Sequence, residues 1–197
     1  MNAVNSLYVQ KKLRELNTGA VFSLYDYIEF CTYNEMKKLV YREIQKKNVE
    51  RIIAGLYFRT AAGCTHPSID DIAAGLARRN GCVISPSVAS VMDAFGMPAE
   101  SNESYVYYSS SYSHKYNIYG EEIDFVSVPE RDIVSLSPVS VLVVSALRSI
   151  GYGKVTDENI EAIRKRLSDE ERKKVLSECR NCTRWIYKAI EKICLLY

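Results

Sequence analysis

No stretch of this chain is apolar for long enough to cross a bilayer. The most apolar run, residues 139–150, is short and broken by Ser140, Ser145 and Arg148, whereas a membrane helix needs about 20 apolar residues. The run reads as a buried core helix. Met1-Asn2-Ala3-Val4-Asn5 leads into a charged amphipathic segment with no apolar h-region, so no export leader is expected. Neither G-x-G-x-x-G nor G-x-x-x-x-G-K-[ST] occurs, which leaves nucleotide cradling unsupported and no cofactor expected. The two histidines, His66 and His114, lie far apart in sequence. His66 has Cys64 nearby, but no orienting carboxylate is identifiable, and a capping or surface histidine is the better reading. Six cysteines in 197 residues fall short of a secreted disulfide scaffold. With no leader expected, they read as reduced thiols of a cytoplasmic protein with no membrane role. Internal repeats and low-complexity linkers are absent too.

Charge of one sign is also scarce, with a net of only +2, and the distribution says more than the total. Residues 1–60 hold ten Lys+Arg against six Asp+Glu, residues 61–150 five against ten, and residues 151–197 eleven against eight. A basic N-terminal unit beside an acidic middle fits a nucleic-acid-facing module joined to one of another kind. With 47% hydrophobic and 25% charged residues, the composition is that of an ordinary globular protein of one or two domains.

What is present is a run of well-marked elements. Residues 4–17 carry Val4, Leu7, Tyr8, Leu13 and Leu16 as a helical stripe among lysines and arginines, with Gly19 to end it. Ser23-Leu24-Tyr25-Asp26 resembles a capping box and predicts a helix to about Phe30. Thr32-Tyr33-Asn34-Glu35 is a fuller box and opens a helix over residues 33–47, which Asn48 stops. Two β-type runs, 49–53 and 56–59, flank Ala54-Gly55 as a hairpin. Helix, turn, basic helix and hairpin in that order predict a winged helix-turn-helix over residues 1–60.

Residues 61–197 predict a mixed α/β domain with a small antiparallel sheet. Ser68 and Ser85-Pro86-Ser87 open helices, tyrosine-rich residues 104–128 form strands turning at Gly120, and Ser137-Pro138, Thr156 and Ser168 open the later helices, with a break near Asn181. The expected fold class is therefore α+β, mostly helical.

On the helix over 33–47, Met36, Leu39, Val40 and Ile44 share one arc, with Glu43 inside it and out of character. The opposite arc carries Asn34, Lys38, Arg42 and Gln45, with Lys37 on its flank and Tyr41, which could also swing to the core; Tyr33, at the helix start, joins the candidate set. Arg reaches guanine, Asn and Gln reach adenine, and Lys reaches phosphate, so this face is the candidate reader of duplex DNA. Arg51 and Arg59 stand where a wing would touch the backbone or minor groove. The bland alternative is a solvated basic face; the order of elements favours DNA because it supplies the scaffold as well as the charge.

Other clusters carry less. Cys179-Arg180-Asn181-Cys182 lacks a second ligand pair for zinc and lies in helical sequence, so incidental thiols are expected and no metal site is assigned. Glu121, Glu122 and Asp124 could hold a divalent ion as nuclease carboxylates do, but no D-x(n)-E-x-K pattern follows and a solvated strand face fits better. Six tyrosines between Tyr105 and Tyr119 sit among serines and acids, which favours strand packing or a protein interface over base stacking. The mixed-sign clusters around Arg164-Lys165-Arg166 and Arg172-Lys173-Lys174 read as solvated helix faces. No catalytic residue is expected.

The segment 21–59, with Val21-Phe22-Ser23, a capped helix, then Val49-Glu50-Arg51-Ile52-Ile53-Ala54-Gly55-Leu56-Tyr57-Phe58, resembles the N-terminal domain of the AbiE-type abortive-infection antitoxins and their relatives. Gly55-Leu56-Tyr57 matches the end of their wing, and Ala54 stands where relatives more often carry a basic residue. A looser similarity continues through residues 67–76, Ile84-Ser85-Pro86, Ala89, Phe95-Gly96-Met97 and Trp185-Ile186. The resemblance implies a DNA-binding antitoxin that represses its own operon at promoter repeats and counteracts a nucleotidyltransferase-type toxin in phage defence. The alternative is a stand-alone winged-helix regulator whose second domain senses a ligand or dimerises. Oligomeric state is left open.

Overall fold

The computed structural model describes residues 3–60, 66–98 and 104–195, which build an α+β, mostly helical protein. The chain divides into two compact units between Cys82 and Val83.

In the N-terminal unit, helix α1 (Ala3–Glu15) buries Val9 and Leu13 and keeps Lys11 and Lys12 outside, 3.7 and 3.9 Å from Glu15. Strand β1 (Val21–Ser23) pairs antiparallel with β3 (Leu56–Arg59), which pairs antiparallel with β2 (Val49–Ile53), giving the order β1-β3-β2. Ser23 then caps a single 3₁₀ turn, Leu24–Tyr27, whose Asp26 carboxylate accepts from the Ser23 amide at 2.9 Å. The longer helix expected to Phe30 is absent. Leu24 and Tyr27 are the buried pair, and their three-residue spacing matches the three residues per turn of a 3₁₀ helix.

Helix α2 (Tyr33–Gln45) starts at the expected capping box, with Thr32 and Glu35 exchanging bonds, and Met36, Leu39 and Val40 are buried. These pack with Phe22, Leu24, Tyr27, Val49 and Tyr57 into one core on one face of the sheet. The other face carries Val21, Leu56 and Phe58, which alternate with Phe22 and Tyr57. It is covered by helix α3 (Ile69–Asn80) through Ile72, Ala73, Leu76 and Ala77. Here Gly75 is obligatory, because a Cβ would stand 2.5 Å from Val21 Cγ1 and 2.9 Å from Leu56 Cδ1. The compact unit thus runs to residue 82, past the boundary expected at residue 60, and α3 closes the second face of the sheet.

The C-terminal unit has its core in helices α4 (Val88–Ala94), α5 (Pro138–Ile150), α6 (Asp157–Arg166), α7 (Asp169–Glu178) and α8 (Arg184–Cys194). Its sheet has strands β4 (Ser104–Ser109), β5 (His114–Ile118) and β6 (Glu121–Ser127) in the order β4-β6-β5. The β5–β6 hairpin turns at Tyr119-Gly120, both with positive φ, as a tight two-residue hairpin requires. The expectation of an antiparallel sheet is corrected, because β4 runs parallel to the central β6. The link 110–113 steps across the end of β6, held by Ser113 Oγ accepting from the Ser127 amide at 2.8 Å and by Ser127 Oγ donating to Ser111 O at 3.2 Å. Residues 83–85 lie along the outer edge of β4, bonded to Tyr108 and Ser110.

One polar cluster is closed inside this unit. Asp132 accepts from the Thr183 amide at 2.7 Å, the Thr183 hydroxyl at 2.6 Å and Arg148 Nη2. Among the described residues, no helix is long and apolar enough to cross a membrane.

Candidate nucleic-acid interface

The apolar arc of α2 faces the core, so its opposite arc must face out. Tyr33, Asn34, Lys37, Lys38, Tyr41, Arg42 and Gln45 are all exposed. Asn34, Lys37, Lys38, Tyr41 and Arg42 line one surface depression. Tyr41 is 62% exposed and does not turn to the core. Tyr33, at the start of the helix, lies with its ring centroid 5.7 Å from that of Tyr25.

Glu43, out of place in the apolar arc, has a local cause. Its carboxylate is buried and accepts from Lys46 Nζ at 2.9 Å and Asn48 Nδ2 at 2.8 Å, tying the end of α2 to the approach of β2. Burial pushes its pKa up, but these two hydrogen bonds with the charges of Lys46 and Arg14 prevail and hold it below the ordinary glutamate value. The tie also pairs Lys46, which stays exposed, with a carboxylate. Among the described residues no carboxylate lies within ion-pair distance of Lys37, Lys38 or Arg42, although the Lys38 charge is among the weaker influences that lower the Glu35 pKa.

The hairpin divides the two arginines assigned to it. Arg51 is exposed on β2, at the start of the irregular register between Arg51 and Ile53. Arg59 lies opposite Val49 at the open end of the hairpin, half-buried, and donates to Asn48 O at 3.1 Å. It closes the sheet instead of pointing from the turn, which takes it out of the candidate interface.

The last turn of α3 brings two arginines that sequence reading left in the other domain. Arg78 Nη2 donates to Val21 O at 2.8 Å, and its Nε reaches Asp26 Oδ2 at 3.5 Å. Arg79 crosses the hairpin turn, its Nε 3.4 Å from where a Cβ of Gly55 would stand. Local sequence signals only the end of a helix before Gly81; the approach to Gly55 spans 24 positions and leaves no mark in either segment.

The other clusters resolve into packing. Lys115 donates to Glu122 at 2.8 Å and lies 3.7 Å from Asp124, so two of the carboxylates weighed against a metal role hold a lysine between them. The hydrogen bond to Glu122 leads the interactions that raise the Lys115 pKa. Tyr107, Tyr112 and Tyr116 surround the Phe125 ring at 5.7–6.1 Å. Cys179 and Cys182 are buried in the helical core. Cys64 lies outside the described residues, and His66 rests with its ring 6.4 Å from that of Phe58. Among the described residues no three His, Cys, Asp or Glu side chains gather as a metal site would require.

These features define an α+β protein with an outward basic helix face beside an antiparallel hairpin. Residues 8–175 match the model of a family described as of unknown function, DUF6088, and the chain belongs to that family. No curated protein and no solved structure matches it.

Proposed function

We propose that the N-terminal unit is a winged helix-turn-helix that binds duplex DNA, with α2 in the major groove and the β2–β3 hairpin as the wing. The observation that carries this reading is the α2 face itself. Lys37, Lys38 and Arg42 project from it beside Asn34 and Gln45, while the neighbouring Lys46 is held by Glu43. A row of exposed cations with no carboxylate at ion-pair distance is suited to phosphates, and the interleaved amides are suited to base edges.

In this reading the chain represses its own operon and is the antitoxin of a phage-defence pair, opposing a nucleotidyltransferase-type toxin. The AbiE-type pattern in residues 21–59 supports that assignment. A second reading, a regulator without a toxin, draws on a groove of about 260 Å³ in the C-terminal unit, where Trp185 and Tyr152 stand beside Lys188 and Lys192. A nucleotidyltransferase gene adjacent to this one selects the first reading, and its absence the second.

The test is a gel-shift titration on the DNA upstream of the gene with the parent chain, Lys38→Ala and Arg42→Ala. Each variant is expected to lose about 1–3 kcal/mol of binding if it contacts a base, or to weaken all sequences alike if it contacts phosphate. Both side chains are exposed, so melting temperatures should stay near the parent value. Unchanged affinity in both variants contradicts the assigned face.

A further inference from the structure

We propose that Arg79, on the last turn of α3, is a phosphate-binding residue of the wing, supplying the cation that the hairpin turn itself lacks. The inference rests on the DNA-binding reading above and extends it to a residue outside the helix-turn-helix segment.

The turn of the hairpin is Ala54-Gly55, and neither residue carries charge. Gly55 has φ +79°, a conformation other residues adopt at a cost. With no side chain there, the outer part of the Arg79 side chain lies against the turn, its Cδ 3.8 Å and its Nε 3.4 Å from the position a Cβ would take. The guanidinium therefore rides with the hairpin tip, although it belongs to a helix that follows the hairpin in sequence.

A cation at the end of a helix is favourable in any case, because it meets the negative end of the helix dipole. Arg78 already serves that purpose and more: it donates to Val21 O and reaches Asp26, fastening α3 to β1 and the 3₁₀ turn. Arg79 has no described carboxylate within ion-pair distance. The residue is half-buried, and a long cationic side chain that packs its aliphatic part can keep its charged head in water. A guanidinium held this way suits the forked geometry of a phosphate. Arg51 stands on the same hairpin, so the wing would present two cations from two different elements.

The experiment is a fluorescence-anisotropy titration of the full chain, at salt concentrations from about 50 to 300 mM. It uses two duplexes, the upstream region of the gene and a scrambled duplex of equal length, with Arg79→Ala and Arg79→Lys. Loss of one phosphate contact is expected to weaken both duplexes alike, about five-fold near 150 mM salt, and to reduce the slope of log affinity against log salt by about 1. Arg79→Lys should restore the slope. A parental slope in Arg79→Ala overturns the inference. So does a loss in Arg79→Ala that comes with a lowered melting temperature and is not restored in Arg79→Lys, since that marks a packing role. If the parent binds and Arg79→Ala binds equally, only this inference fails; if the parent binds neither duplex, the DNA-binding reading fails with it.

Discussion

Residues 1–60 expressed alone will not fold, whereas residues 1–82 will melt as one cooperative unit. The sheet β1-β3-β2 has two apolar faces, and the fragment of 60 residues covers only one of them. Leu56 and Phe58, 0% and 2% exposed, would return to water with the loss of α3. Ile72 and Leu76, both at 0%, would be lost from the core with their helix. Burial of each large apolar side chain stabilises by about 1.5–3 kcal/mol, and domains of this size hold only about 0.05–0.15 kcal/mol per residue. Removing α3 therefore exceeds what the unit can lose. Circular dichroism and thermal melts of the two fragments decide it. A cooperative melt from residues 1–60 would contradict the placement of α3 as part of the core. Gly75→Leu in the full chain applies the same stress at one point, since Val21 and Leu56 leave no room even for a methyl group. The expected result is loss of the first unit's melting transition.

Asp132→Ala should destabilise the C-terminal unit by about 3–5 kcal/mol, because it strands Arg148 in a largely closed site. Asp132 is 2% exposed, and Arg148 Nε already lacks a hydrogen-bond partner. Losing the carboxylate would also leave the Thr183 amide and hydroxyl without their acceptor at the start of α8. Burial pushes the Asp132 pKa up, yet the hydrogen bonds from Thr183 and Arg148 and the arginine's charge prevail and lower it. A carboxylate lowered on folding contributes stability that is full above its unfolded value, about 3.9. That contribution is lost as pH falls through the lower folded value. Acid titration of the parent should show this loss below about pH 4, and Asp132→Asn should flatten it. Equal melting temperatures for parent and Asp132→Ala at neutral pH would contradict the buried pair.

The helix starts were legible in the sequence because a cap is a local device. Ser23 with Asp26, Thr32 with Glu35 and Ser168 with Glu171 each close within three residues, and the structure has all three. The outward face of α2 was legible for a similar reason, since its apolar arc has the period of the helix. Strand β1 was not, because three residues are too few to show an alternation. The parallel pairing of β4 with β6 was hidden because Ile123 and Phe125 specify which side of the strand is buried but not the direction of its neighbour. Glu43, Arg59 and Arg79 share one lesson. Their partners, Asn48 for the first two and Gly55 for the third, are set by how elements meet, and residue type alone assigns a glutamate or an arginine to the surface.

The central claim is that the N-terminal unit meets a duplex with one face of α2 and the tip of a hairpin. The most direct measurement is an amide-resolved NMR titration of the isotopically labelled full chain with a duplex from upstream of its gene. The expected result is a contiguous set of shifted amides over residues 33–45, 51–55 and 78–80, with α1 and residues 83–195 little changed. Shifts confined to residues 83–195, or none at duplex concentrations where nonspecific binders saturate, would contradict it.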